Sequence, residues 1–141
     1  MTRRLVKARL LLCAASLWAA AGVARASELD DRLAGANLKR GQLMFILCKT
    51  CHDLEPNLPH KAGPNLHGIM GRKAGSIPGF KFSDALVKSG VVWTPETMDA
   101  WIKQPTALVP GSAMALAGLP SDADRASIIA WMLANGARPA P

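Results

Sequence analysis

The sequence predicts an all-α fold in which long loops connect short helices. Helix start signals recur along the chain, and no run of strand length alternates apolar and polar residues. Proline and glycine are concentrated over residues 53–81 and 105–120, between the predicted helices. Loops of this length in a compact domain are usually functional or disordered, and the apolar side chains that they retain favour ordered loops covering a buried feature.

Residues 1–26 have the pattern of a secretory signal peptide. Four basic residues precede an apolar stretch from Leu10 to Ala24, and Ala24-Arg25-Ala26 is a small-x-small cleavage pattern. The apolar stretch is shorter than the roughly 20 residues of a membrane span. We therefore expect export to the periplasm and a mature chain, residues 27–141, that forms one domain without a membrane span.

The net charge of +7 depends largely on this leader. Its removal takes away five of the 17 basic residues and none of the ten acidic ones, which leaves +2 on the mature chain. A chain so close to neutral offers no basis for nucleic-acid binding.

The mature chain begins with an irregular lead-in and one helix. Residues 28–35 show no clear period, so we expect no regular structure there. Asn37 is a suitable N-cap for a helix that runs into residue 48. Gly41 lies in its middle, where alanine would be more stable by roughly 1 kcal/mol, so a second helix is expected to cross closely at this point.

Three further helices have their own start and stop signals. Their polar caps, a proline at one first position and acidic residues in the last helix's first turn are all typical of helix ends. The predicted helices run from Ser83 to Gly90, from Thr94 to a point before Pro105, and from Ser121 to Asn135-Gly136.

Residues 48–52 form the motif Cys-Lys-Thr-Cys-His, which is typical of covalent haem attachment. Residues three and four apart share one face of a helical turn. The thiols of Cys48 and Cys51 could therefore reach one haem edge for thioether bonds, while His52 points at the iron.

Three other interpretations of this motif are less well supported. Zinc needs two further ligands, and the mature chain has no other cysteine, only His60 and His67. A thioredoxin-like redox pair would follow a strand, and no strand run precedes Cys48. A disulfide across two residues closes too small a loop to stabilise a fold.

A second axial ligand decides whether a haem iron would be open to substrates. Met70 and Met114 are the two methionines predicted to lie on loops. Met114 follows the rigid turn Pro110-Gly111-Ser112-Ala113, which can present one side chain across a haem from His52. On the residues alone, a plain packing role for Met114 stays open.

Separated motifs along nearly the whole mature chain match one family. They are Gly41-x-x-x-Phe45-x-x-Cys48-x-x-Cys51-His52, Gly63-Pro64-Asn65-Leu66-His67-Gly68, Gly71-Arg72, Pro78-Gly79-Phe80, Val92-Trp93, Pro110-Gly111-Ser112-x-Met114 and Asp124-Arg125-x-x-Ile128-Ile129-Ala130-Trp131. In this order they resemble the soluble class I c-type cytochromes, which include mitochondrial cytochrome c and bacterial periplasmic relatives. The resemblance implies short helices and long loops around one haem c, with His52 and Met114 as iron ligands.

The resemblance also implies roles around the haem. The Pro64 carbonyl is expected to orient His52. Arg72, Trp93 and Ser112 are expected near the haem propionates. Two further aromatic residues stand where relatives often have tyrosine: Trp101 beside the methionine ligand, and Phe82, which cannot donate a hydrogen bond to a propionate. Gly41 and Trp131 are expected to mark the crossing of the first and last helices.

The function implied is that of a monomeric periplasmic one-electron carrier, not an enzyme. Its donor would be a quinol–cytochrome c oxidoreductase or a periplasmic dehydrogenase, and its acceptor a terminal oxidase, a peroxidase or a reaction centre. A haem enzyme or gas sensor with an open iron site is opposed by Met114. A dedicated subunit of one dehydrogenase remains open. Because the mature charge is small, we expect a mainly apolar docking face with Lys61 and Lys103 at its rim.

Overall fold

Helices make up the regular structure of residues 28–139, which are the residues that this computed structural model describes. The compact unit Arg32–Pro141 contains five of them: α1 Leu38–Lys49, α2 Asp84–Lys88, α3 Pro95–Lys103, α4 Pro105–Leu108 and α5 Asp122–Ala134. Within the described range, strand-like pairing amounts to an isolated bridge between Lys73 and Val92. The all-α prediction is confirmed. The predicted signal peptide, residues 1–26, lies outside the described residues.

Side-chain caps start four of these helices at the predicted residues. The Asn37 side chain accepts a hydrogen bond from the backbone at the start of α1, and Ser83 and Ser121 do the same for α2 and α5. At α3 the cap is reciprocal: the Thr97 backbone N–H donates to Thr94 Oγ1 at 3.3 Å, and the Thr94 N–H donates to Thr97 Oγ1 at 2.8 Å. Local side-chain chemistry therefore sets these helix starts.

Two segments predicted to be irregular are helical. Residues 28–34 form helical turns. Leu29 and Leu33 are a single pair one turn apart, too short a pattern for a period to be recognised. Residues 105–108 form α4, because Pro105 occupies its first position, where the missing N–H needs no partner.

Helices α1 and α5 cross in close contact. A Cβ atom on Gly41 would overlap the backbone carbonyl of Ser127 and lie 2.8 Å from the Cβ of Trp131. One turn along α1, the rings of Phe45 and Trp131 lie 4.7 Å apart between centroids. The crossing predicted from Gly41 and Trp131 is confirmed, and glycine is required because it lets the two backbones approach.

A buried arginine joins α5 to α3 and to the loop between them. The Arg125 side chain is 1% exposed and donates to Asp99 Oδ1 at 2.9 Å. It also donates to the carbonyl oxygens of Leu119 and Pro120, both at 2.8 Å, and to Asp122. The buried charge is therefore paired and hydrogen-bonded, and it fixes the end of the loop that follows Met114.

Across residues 28–139, no helix has both the length and the apolar character required to cross a membrane.

Candidate cofactor site

A cavity of about 470 Å³ lies between the loops, α1 and the inner faces of α3 and α5. This is within the size range of cofactor sites, roughly 300–1,000 Å³. Apolar side chains dominate its wall, including Leu66, Ile69, Ile77, Phe80, Phe82, Leu86, Ile102 and Ile128.

All three functional residues of the Cys-x-x-Cys-His motif line this cavity. The chain stays tightly turned after α1, because the N–H groups of Cys51 and His52 both donate to the Cys48 carbonyl, at 3.0 and 2.9 Å. Both cysteines are free thiols. The turn therefore presents two thiols and one imidazole to the same space, as the motif predicts.

The electrostatic environment of Cys48 keeps its thiol protonated. Burial, with a further contribution from the neighbouring Cys51, raises the pKa of Cys48 to about 11. Zinc binding and thiol–disulfide exchange both need the thiolate, so this environment is unsuited to either. Within residues 28–139, no three His, Cys, Asp or Glu side chains come together as a possible metal site.

The ring of His52 is held from two sides. Its Nδ1 lies 2.7 Å from the Pro64 carbonyl oxygen, so Nδ1–H donates and Nε2 keeps its lone pair. Burial lowers the pKa of His52, and the Pro64 hydrogen bond opposes this effect, so the environment favours a neutral imidazole that can bind a metal. A Cβ atom on Gly63 would overlap the His52 ring.

No role was predicted for Gly63, although it stands directly before Pro64 in one of the motifs that match the family. The Gly63 N–H donates to the Cys51 carbonyl at 2.9 Å, which holds this loop against the cysteine motif. Proline without a preceding glycine could not bring its carbonyl so close to the imidazole.

Met114 lines the same cavity, on the loop between α4 and α5. The indole Nε1–H of Trp101 donates to Met114 Sδ at 2.9 Å. Trp101 in turn packs edge-on against Trp93, with ring centroids 5.3 Å apart. The methionine predicted as a ligand is thus fixed by a hydrogen bond from α3.

The residues expected near the haem propionates divide into two groups. Trp93 and Ser112 line the cavity, and Ser112 Oγ is buried with no hydrogen-bond partner among the residues described. Arg72 is exposed, lies outside the lining and donates through Nε to the Gly68 carbonyl at 2.9 Å.

Lys73 lines the cavity, and sequence analysis did not identify it. Its direction follows from its bridge to Val92, a contact that the local sequence does not predict, because consecutive residues in extended backbone point to opposite sides. When Arg72 faces outward, its neighbour faces the cavity.

These observations fit a covalently held haem. An apolar cavity accepts the ring, the orphaned Ser112 hydroxyl offers a partner for a polar group, and two thiols, an imidazole and a thioether supply the attachment and ligand atoms.

Known proteins decide the family. Cytochrome c of Kluyveromyces lactis is 39% identical to this chain over 99 residues, which cover 70% of the chain and 90% of that protein. The chain belongs to the cytochrome c family. Cytochrome c2 of Rhodomicrobium vannielii is 41% identical over 93 residues, which cover 66% of this chain and 74% of that protein. A cytochrome c homolog of Bradyrhizobium diazoefficiens is 34% identical over 122 residues, which cover 86% of this chain and 66% of that protein. No family model matches the chain.

Membership in the cytochrome c family confirms the resemblance and the fold predicted from the motifs. It makes this chain an electron-transfer protein that acts with redox partners through covalently bound haem, and not an enzyme.

Proposed function

We propose that this cytochrome c is a periplasmic one-electron carrier with one haem c, attached through Cys48 and Cys51 and ligated by His52 and Met114. One observation carries the proposal: these four side chains line a single apolar cavity, although His52 and Met114 are 62 residues apart in the sequence. Periplasmic location rests on the leader predicted for residues 1–26.

The attachment chemistry needs no oxidant. Cys48 and Cys51 would hold the haem through two thioether bonds, each the product of adding a thiol S–H across a vinyl C=C bond, with the hydrogen on carbon.

The bound haem iron supplies a centre that takes up and releases one electron between its ferrous and ferric states. His52 and Met114 would both bind the iron and leave no position for a substrate, which would suit electron exchange rather than substrate binding. This argues against an enzyme or gas sensor with an open iron site.

The surrounding residues set the ligand properties. Pro64 orients His52 and increases its basicity through the 2.7 Å hydrogen bond. The hydrogen bond from Trp101 would withdraw electron density from the Met114 sulfur, which would favour ferrous iron and raise the reduction potential. Ser112 and Trp93 would meet polar groups of the haem. Arg72, outside the cavity, would contribute only its charge.

Partners of this monomeric carrier would be a quinol–cytochrome c oxidoreductase or a periplasmic dehydrogenase as donor. A terminal oxidase, a peroxidase or a reaction centre would be the acceptor. A dedicated dehydrogenase subunit would differ by co-purifying with its enzyme from periplasm.

The first test is the ligand set. The purified protein should carry one haem by mass that resists acid–acetone extraction. Met114→Leu should abolish the iron–sulfur charge-transfer absorption of the oxidised protein, lower the potential and admit cyanide. Met70→Leu is the matched control, because Met70 is 5% exposed and lies outside the cavity wall. If Met70→Leu has these effects and Met114→Leu does not, the ligand is misassigned.

A further inference from the structure

The outward face of α1 carries an apolar stripe, defined here as Leu43, Ile46 and Leu47. These side chains are 62%, 59% and 58% exposed, whereas the opposite face of the helix is buried against α5. Residues three and four apart share one face, so the three form a continuous strip along the helix. Exposed aliphatic clusters of this kind mark interaction surfaces.

The apolar stripe is continuous with the cavity. Leu47 and Thr50 both line the cavity wall, and both are exposed. Leu47 lies one turn beyond Leu43, and Thr50 lies one turn beyond Ile46. A protein that covers the stripe therefore also covers the cysteine end of the cavity, where an electron would pass between the two molecules.

The unpaired charges on α1 are few and of one sign. Helix α1 contains no acidic residue, and its exposed Lys39 and Lys49 form no ion pair with any described residue. Arg40 is paired with Asp124 at 2.8 Å, and Lys61 with Asp53 at 2.9 Å. The surface therefore has an apolar centre bordered by two free positive charges.

We propose that the apolar stripe docks a redox protein whose own face has an apolar centre around its redox group and carboxylates at the border. This inference rests on the proposed function, because it assigns the stripe to the electron-exchange step. The partner's carboxylates would face Lys39 and Lys49, and its apolar centre would bury the stripe.

Other occupants fit less well. A second copy of this chain would bring the lysines of two α1 helices together around a two-fold axis, which is repulsive. A lipid surface on the stripe would place hydrocarbon over the cavity end, and hydrocarbon neither supplies nor accepts electrons.

The test measures electron-transfer rates of the haem-loaded full chain by stopped flow. The probe is a blue-copper protein with an uncharged, apolar face around its copper-ligand histidine and carboxylates at the border. Leu43→Gln with Ile46→Gln keeps helix propensity and should lower the second-order rate constant at least about tenfold. Val87→Gln with Val92→Gln, at positions 47% and 44% exposed outside α1, is the matched control and should change it less than twofold.

Lys39→Gln with Lys49→Gln should reduce the same rate constant by no more than about fivefold, as exposed charges do. Hexacyanoferrate, a small anion that needs no apolar docking face, should react equally with the wild type and with the two variants that change no charge. A wild-type protein that fails to exchange electrons with hexacyanoferrate would overturn the proposed function, and this inference with it.

Two results would overturn the docking assignment alone. One is an unchanged blue-copper rate in the Leu43→Gln, Ile46→Gln variant while hexacyanoferrate still reacts. The other is sedimentation of the wild type, but not of this variant, with phosphatidylglycerol vesicles, which would assign the stripe to lipid.

Discussion

The helix crossing and the cavity are built in opposite ways. Where α1 meets α5, the protein completes its own packing: Gly41 admits the second backbone, and a Cβ atom there would overlap the Ser127 carbonyl. Around the cavity, about 470 Å³ is enclosed mainly by loops, and the Ser112 hydroxyl is buried without a partner among residues 28–139. One region is finished by the chain, and the other is shaped for a group that the chain must acquire.

This difference separates what stabilises the protein from what makes it function. Substitutions at the crossing should change the free energy of unfolding and leave the redox centre alone. Substitutions at the cavity should change the redox centre, and those that prevent haem attachment should remove the fold as well.

The largest expected effect is loss of the haem. Cys48→Ala with Cys51→Ala should leave the chain largely unfolded at 25 °C. Without the haem, the mainly apolar wall of a cavity of about 470 Å³ stays uncovered in a small domain whose whole stability is about 5–15 kcal/mol. Circular dichroism during heating measures this. A double variant that melts cooperatively would show that the crossing can stabilise the fold alone.

A smaller effect is expected at the crossing. Gly41→Ala should lower the free energy of unfolding by about 1–3 kcal/mol, because the new Cβ forces α1 and α5 apart despite alanine's better helix propensity. Guanidinium unfolding of the haem-loaded protein measures this, and its absorption spectrum should not change. Gln42→Ala, at an exposed position of the same helix, is the control. A Gly41→Ala protein as stable as the wild type would contradict close packing here.

The smallest expected effect distinguishes two tryptophans. Trp101→Phe removes the N–H donor to Met114 Sδ and should lower the reduction potential by about 40 mV, equivalent to about 1 kcal/mol for one hydrogen bond. Trp131→Phe, at the crossing, should alter stability and leave the potential unchanged. Potentiometric titration compares the two. Equal potential shifts would mean that the regions are not independent.

Helix starts were predicted most successfully where a side chain caps the helix by a hydrogen bond to a backbone group a few residues away. Asn37, Ser83, Thr94 and Ser121 cap helices as expected, because a cap is a contact within a few residues. The cysteine motif is equally local. The contacts of Pro64 and Trp101 were expected only through the family resemblance, since nothing in their local sequence indicates what they meet.

The features that the sequence did not predict depend on tertiary placement. No role was predicted for Leu43 and Ile46, because apolar side chains on a helix are usually part of the core and only the folded structure shows these two as exposed. The directions of Arg72 and Lys73 depend on a bridge to Val92, a residue far along the chain. The role of Gly63 follows from the neighbouring imidazole ring.

The α1–α5 contact also has a consequence for the order of events during biogenesis. The Asn37 N–H donates to Ser127 Oγ, a partner 90 residues later in the chain. Because a polypeptide is synthesised from its N-terminus, α5, the 13-residue helix near the other end, is made last. Until then the crossing cannot form, and α1 has no partner for its buried face. The contact that joins the two ends of the chain is therefore among the last that the fold can make.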